Sequence, residues 1–253
     1  MPVTVGQMLD LLNQIAPPEL AEAWDNVGLL SGHPDNPVDR VLCALDLTEA
    51  VIEEAAMLGA QLIVTHHPIL FRGRKNLRED DPEGRMLCKM VLAGISHIAM
   101  HTNYDNACPG VNDALAATLE LHDVERVDRA LRLGVTEHRT FGEFADYAEK
   151  ALGGPIRRFG RPEMPVMKVA VLGGSGGDYL PMAVDAGCDV FVTGEISYHK
   201  ALDAAQDGIC VLEAGHAATE RPGILALSAA LQKAVDAVQY DIRVFDSEVS
   251  LFL

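Results

Sequence analysis

Leu62-Ile63-Val64-Thr65-His66-His67-Pro68 is the stretch whose reading decides the fold. A β-branched apolar run closed by a proline reads as a buried strand, and its two histidines stand at the carboxyl edge. Open α/β sheets place their chemistry at that edge. An isolated His-His pair is commonly a surface accident, so its weight depends on what the rest of the chain supplies.

Upstream of this strand, Val38 to Leu45 is a second strand-like run. Asp46-Leu47-Thr48 turns the chain with Thr48 as cap, and Glu49 to Leu58 follows as an amphipathic helix closed by Gly59. A helical crossover between two apolar strands predicts that they pair in parallel. Downstream, Asp81 to Ala93 reads as a helix ended by Gly94, and Ile95 to Met100 as a third strand. That strand also ends in chemistry, His101-Thr102-Asn103-Tyr104-Asp105-Asn106, ahead of a helix over Val111 to Leu119. At the start of the chain, residues 4–16 have helical spacing with Thr4 as N-cap and Pro17-Pro18 as stop. Trp24 is assigned to packing in preference to a stacking platform, while Asp25 and Asn26 suit either a turn or the site. Residues 122–165 read as a polar connection containing one helix from Phe141 to Leu152.

The second half repeats the first. Lys168 to Leu172 is a strand, Tyr179 to Ala186 a helix ended by Gly187, and Asp189 to Thr193 the next strand. Val41 to Thr65 and Val169 to Thr193 both span 24 positions. A helix from Tyr198 to Ala205 and a strand from Ile209 to Leu212 then lead to Gly215-His216-Ala217-Ala218-Thr219-Glu220. A helix from Pro222 to Val235 and a strand beginning at Asp241 complete the chain. The fold class predicted is therefore α/β: two related lobes from an internal duplication, with mixed, largely parallel sheets flanked by helices. The lobes are drawn at residues 1–125 and 126–253, the second including the connection. A duplicated unit packed about a pseudo-twofold axis would gather the matching strand ends between the lobes.

Composition narrows the chemistry. With 253 residues, 49% hydrophobic and 5% aromatic, the chain suits an aliphatic α/β interior. Twenty Lys and Arg against 37 Asp and Glu give a net charge of -17, which opposes attraction to nucleic acid or anionic lipid. No basic leader and no apolar run of about 20 residues is present, so the expected location is the cytoplasm and no membrane partner is predicted. Five dispersed cysteines with no C-x-x-C pair read as reduced thiols. One local exception to the acidic balance is Phe71-Arg72-Gly73-Arg74-Lys75-Asn76-Leu77-Arg78, whose basic residues suit a phosphate or carboxylate of a substrate.

Histidine nitrogens and carboxylate oxygens are the usual donors for zinc, iron, manganese and nickel. His66, His67, His101, Asp105, His216 and Glu220 all fall just beyond predicted strands. The spacing of four between His101 and Asp105, and between His216 and Glu220, puts each pair on one face of a helical turn. Adjacent side chains of an extended segment diverge, so His66 and His67 are read as serving two different metals. His97 is placed in the core, and His199 is a candidate to support the site from behind. His33, His122 and His138 are discounted as loop or surface residues. Gly173-Gly174-Ser175-Gly176-Gly177 fails the dinucleotide fingerprint and is read as a strand-to-helix turn. No nucleophile elbow is present, and no catalytic residue is assigned.

Taken together, Ala23-Trp24-Asp25-Asn26-Val27-Gly28-Leu29, Thr65-His66-His67-Pro68, His101-Thr102-Asn103-Tyr104-Asp105, Gly110-Val111-Asn112-Asp113, Thr193-Gly194-Glu195 and Gly215 to Arg221 resemble the Nif-three-like dinuclear metal-centre proteins. That group is also called GTP cyclohydrolase 1 type 2 homologues. The resemblance implies two divalent ions per subunit between two α/β lobes, and a toroidal homohexamer. By position it assigns His67 and Asp105 to one metal, His66 and His216 to the other, Glu220 as the bridge, and His101 in or beside the first shell. Ala217-Ala218 departs from the pattern, in which an aromatic often follows the histidine, and that bears on pocket shape. The expected activity is metal-dependent hydrolysis of a small phosphorylated or nucleotide-like substrate, with cyclohydrolase chemistry on GTP implied by the group's name. Two ions can lower the pKa of a shared water and polarise the electrophile. The competing class is non-enzymatic: a metal-binding assembly that stores or delivers metal, or an adaptor whose metal site is structural.

Overall fold

The computed structural model describes residues 2–249. In chain order the elements are α1 (Val5–Ile15), β1 (Gly28–Ser31), β2 (Arg40–Ala44), α2 (Glu49–Leu58), β3 (Leu62–Thr65), α3 (Pro82–Ala93), β4 (Ser96–Ala99) and α4 (Thr102–Asp105). They continue with α5 (Val111–Thr118), β5 (His122–Arg126), β6 (Arg132–Val135), α6 (Phe141–Leu152), β7 (Arg157–Phe159), β8 (Lys168–Leu172), α7 (Leu180–Asp185) and β9 (Val190–Thr193). The last are α8 (Tyr198–Gln206), β10 (Cys210–Glu213), α9 (His216–Ala237) and β11 (Arg243–Asp246). The chain divides into two compact units, Met1–Ala107 with Ile224–Leu253, and Cys108–Gly223. This differs from the single boundary drawn after residue 125, because the last strand returns to the first unit, where β11 pairs with β2.

In the first unit the sheet order is β1-β4-β3-β2-β11. Every pairing is parallel except β1 with β4. The helical crossover α2 is delimited by its own sequence. The Thr48 side chain accepts the Val51 N–H at 3.2 Å, and Gly59 takes the left-handed conformation, φ +66°, that a Cβ would penalise. Leu42, Ala44 and Ile63 pack one sheet face against Val51, Ile52 and Ala55 of α2 and Leu87 and Met90 of α3. The register sets Ala44 opposite Thr65 and Thr65 opposite Ala99. Three strands therefore end level, and the residues that follow them leave the sheet along one edge.

The second unit holds a six-stranded sheet, β5-β6-β8-β9-β10-β7. Its centre is parallel, with Leu172 opposite Thr193 and Thr193 opposite Glu213. Side chains alternate between the faces as strand geometry requires. Val169, Val171, Val190 and Val192 meet Phe144, Ala145 and Ala148 of α6, whereas Ala170, Leu172 and Phe191 meet Leu180, Ala183, Ala201 and Ala204 of α7 and α8. A sheet covered on both faces gives the near-continuous apolar strands seen in the sequence. The repeat is visible as register: Thr65 and Thr193 hold equivalent central positions in the two parallel cores.

Residues 122–165 are more than a connection, since they supply β5, β6 and β7 at the flanks of the second sheet. β5 is exposed along its whole length and so lacks the alternation that marks a strand. β6 opens with a buried arginine, Arg132, which holds Asp113 at 2.8 Å. The helix expected from Pro222 starts instead at His216 and carries Pro222 inside it. Proline favours the first turn, and that preference misplaced the start.

All five cysteines are free: Cys43, Cys188 and Cys210 are buried, Cys88 is half-buried and Cys108 is exposed. Burial pushes the Cys43 thiol up to about 12, and those of Cys188 and Cys210 to about 11. Among the described residues no helix is long and apolar enough to cross a membrane.

Candidate metal centre

The level strand ends of the first unit present three imidazoles. Backbone bonds from His66 N–H to the Ala44 carbonyl, His67 N–H to the Leu45 carbonyl and Met100 N–H to the Thr65 carbonyl extend the pairing just past the strands. His66 Nδ1–H donates to the Met100 carbonyl at 2.8 Å. A carbonyl only accepts, so the proton lies on Nδ1 and Nε2 carries the lone pair a metal takes. His67 Nδ1–H donates to Asp46 Oδ1 at 2.8 Å, and His101 Nδ1–H donates to Asp25 Oδ1 at 2.8 Å. One ligand atom from each of His66, His67 and His101 lies within 4.8 Å of the others. The divergence expected of His66 and His67 is absent, because both follow the last strand residue and their rings stand 5.0 Å apart.

Asp105 reaches the same place through α4. Its backbone N–H bonds the His101 carbonyl at 3.0 Å, and its Oδ1 lies 3.5 Å from His66 Nε2. Asp25 holds the start of that turn by accepting the Thr102 N–H at 3.0 Å and the Thr102 hydroxyl. Burial works against ionisation of Asp25, but the hydrogen bonds from His101 and Thr102 outweigh it and hold its carboxyl at about 2. It is a carboxylate at neutral pH, fixed behind His101.

In the second unit His216 and Glu220 share one face of the first turn of α9, with His216 Nε2 3.2 Å from Glu220 Oε1. Behind the imidazole, Nδ1 lies 3.3 Å from Glu195 Oε1. The glycine turn after β8 is shaped by this pair. At Gly174, φ +64°, a Cβ would fall 2.2 Å from Glu220 Oε1 and 3.3 Å from His216 Nε2. Thr219 locks the turn to the helix, its hydroxyl oxygen accepting the Gly174 N–H at 3.0 Å. A cavity of about 530 Å³ next to this turn is lined by Ser175, Asp178, Glu195, Ser197, Lys200 and Glu213, among others.

Other expectations fared unevenly. His199 is exposed and packs on Tyr198, at 5.4 Å between ring centres, and makes no hydrogen bond to a candidate ligand among the described residues. His97 is buried as expected but only half satisfied. Nε2–H donates to Thr65 Oγ1 at 2.7 Å, Thr65 donates on to the His67 carbonyl at 2.7 Å, and His97 Nδ1 has no partner. Burial lowers its pKa to about 3. Half of the basic loop is not available to a ligand: Arg74 is clamped by Asp81 and Glu83, and Arg78 by Asp80. Arg72 and Lys75 are exposed. Trp24, assigned to packing, is exposed instead. Asp46 and Glu195 were not picked out as site residues. Their signal was position, since each stands just past a central strand beside a histidine-bearing one.

The sequence profile of one family, Duf34/NIF3 (NGG1p interacting factor 3), matches residues 3–250. A Clostridium perfringens protein called GTP cyclohydrolase 1 type 2 homolog is 32% identical over 242 residues, covering 92% of both chains. Its namesake in Streptomyces coelicolor is 36% identical over 96% of this chain and 91% of its own. Among solved structures, the Staphylococcus aureus hypothetical protein SA1388 superposes with a TM-score of 0.94 at 29% identity, over 100% of this chain and 99% of that one. A Bacillus cereus protein related to NIF3 gives 0.94 at 25% identity, over 99% and 98%.

Proposed function

This chain belongs to the Duf34/NIF3 family, and we propose that it is a dinuclear, divalent-metal-dependent hydrolase acting on a small phosphorylated, nucleotide-like substrate. The observation that carries the reading is the common tethering of the imidazoles. Nδ1 of His66, His67 and His101 is hydrogen-bonded to a carbonyl or carboxylate, and Nδ1 of His216 faces Glu195, so each ring is turned to offer Nε2. Carboxylates behind metal-binding imidazoles fix the tautomer and raise ligand basicity. The donors are nitrogen and carboxylate oxygen with no thiolate among them, which fits zinc, iron, manganese or nickel.

In the proposed arrangement His67 and Asp105 would hold one ion and His66 and His216 the other, Glu220 would serve both, and His101 would complete or flank the set. Bound divalent ions would supply Lewis acidity, lowering the pKa of a water and polarising the electrophile. The chain's own contribution is orientation. Asp25, Asp46 and Glu195 aim three of the imidazoles, and Gly174 lets Glu220 approach without a Cβ in its path. The relatives' name, GTP cyclohydrolase 1 type 2 homolog, makes GTP the first substrate to try. Self-association into a ring of six chains is part of the same proposal, checked by light scattering.

The test is to load the protein separately with zinc, manganese, iron and nickel, measure bound metal, and assay GTP and a panel of phosphoesters. Glu220→Ala and Asp105→Ala are expected to lose metal and turnover together. Wild-type metal content near zero, or content unchanged in both variants, overturns the reading. Metal binding without turnover above the variants moves the protein to the storage or delivery class.

A further inference from the structure

Trp24 is the only tryptophan in the chain, and 60% of it is exposed. Phe71 is 45% exposed. Their rings stand 5.7 Å apart at 64°, and each ring centre is 6.2 Å from the imidazole of His101. Exposed aromatic surface forgoes the gain of burial, so the backbone must be holding these rings outward. The hydrogen bonds show how. The Asn26 side-chain amide donates to the Leu70 carbonyl at 2.5 Å, tying the Trp24 segment to the Phe71 loop, while Asp25 is fixed to His101 and Thr102.

Edge-to-face rings leave part of each π-face open, and a third flat ring can stack on one while meeting the edge of the other. Directly after Phe71 come Arg72 and Lys75, exposed cations that form no ion pair among the described residues, on a chain of net charge -17. Cations that follow the ring so closely in sequence suit a ligand that carries an anionic group beside an aromatic ring. We infer that Trp24 and Phe71 form a stacking subsite, next to His101, for the planar aromatic ring of a phosphate-bearing small molecule whose charge Arg72 and Lys75 take. This rests on the metal-centre reading for its place beside the chemistry, and it specifies the substrate class: aryl or nucleoside phosphates rather than sugar phosphates.

Because Trp24 is unique, its fluorescence reports on this subsite alone. The full-length protein, metal-free and metal-loaded, is titrated with phenyl phosphate, guanosine monophosphate, ribose 5-phosphate and inorganic phosphate. Saturable quenching is expected from the two aromatic phosphates and not from the other two at equal concentration. Phe71→Ala should weaken aromatic binding about fivefold or more, in line with the usual worth of one stacked base. By calorimetry Trp24→Ala should do the same and Trp24→Tyr should largely restore it, circular dichroism confirming that each variant is folded. Equal binding of ribose 5-phosphate and guanosine monophosphate, or aromatic binding unchanged in both alanine variants, overturns the inference. So does a Trp24 emission that shifts to the blue with protein concentration alone, which would mark the rings as covered by a second copy. If metal binds and the aromatic phosphates do not, the subsite fails and the metal centre stands; aromatic binding to protein that takes up no metal gives the reverse.

Discussion

Asp46 behaves as a residue whose role lies in another residue's aim. Its Oδ1 accepts the His67 Nδ1–H at 2.8 Å. Asp46→Ala should leave the fold intact and weaken metal binding about 10- to 100-fold, read by equilibrium dialysis. His97 gives a second expectation, for pH. Its folded pKa of about 3 lies below the ordinary 6.5, so between those values the unfolded chain binds a proton that the folded chain refuses. Stability is therefore complete above about pH 6.5 and falls on acidification, by at most about 1.4 kcal/mol per pH unit. His97→Gln keeps a donor for Thr65 but cannot titrate, and denaturant melts from pH 4 to 7 should show a shallower acid slope. At this scale the six candidate donors were legible in the sequence, since the chemistry of a histidine or a carboxylate can be read one residue at a time. Asp46, Glu195 and the exposure of Trp24 were not, because which way a side chain turns is decided by partners 20 or more positions away.

At the scale of elements, the helical crossover α2 does the positioning. It joins β2, which releases Asp46, to β3, which releases His67, and the register levels the two exits. Thr48→Ala removes the cap on that helix and should cost about 1 kcal/mol in chemical denaturation. Helices and central strands were legible because amphipathic spacing, caps and glycine stops agree on them. The flanking strands were not: β5 pairs through its backbone while all its side chains face water. α9 was misread for a different reason. Its first turn carries His216 and Glu220, which read as a ligand motif, while Pro222 reads as a helix start.

Over the whole molecule, the repeat was the most informative feature, since two parallel cores with matching register place donor-bearing turns at equivalent strand ends. A net charge of -17 surrounds those donors with a field that attracts cations. Metal association should slow as ionic strength rises from about 10 mM to about 150 mM, where the Debye length shrinks from ~30 Å to ~8 Å; competition against a colorimetric chelator in stopped flow measures it. The buried thiols bear on handling and on selectivity alike. Cys43, Cys188 and Cys210 hold their protons well above neutral pH in the interior, so they offer neither a nucleophile to alkylating reagents nor a soft anion to copper(I) or cadmium. Iodoacetamide should modify Cys108 first and Cys88 more slowly in the native protein, and reach the other three only after unfolding, as peptide mass spectrometry would show. A chain that withholds the sulfur of its interior in this way leaves thiol-seeking metals and oxidants only Cys108 and Cys88 to meet, while its nitrogen and oxygen donors stay reserved for ions of the opposite preference.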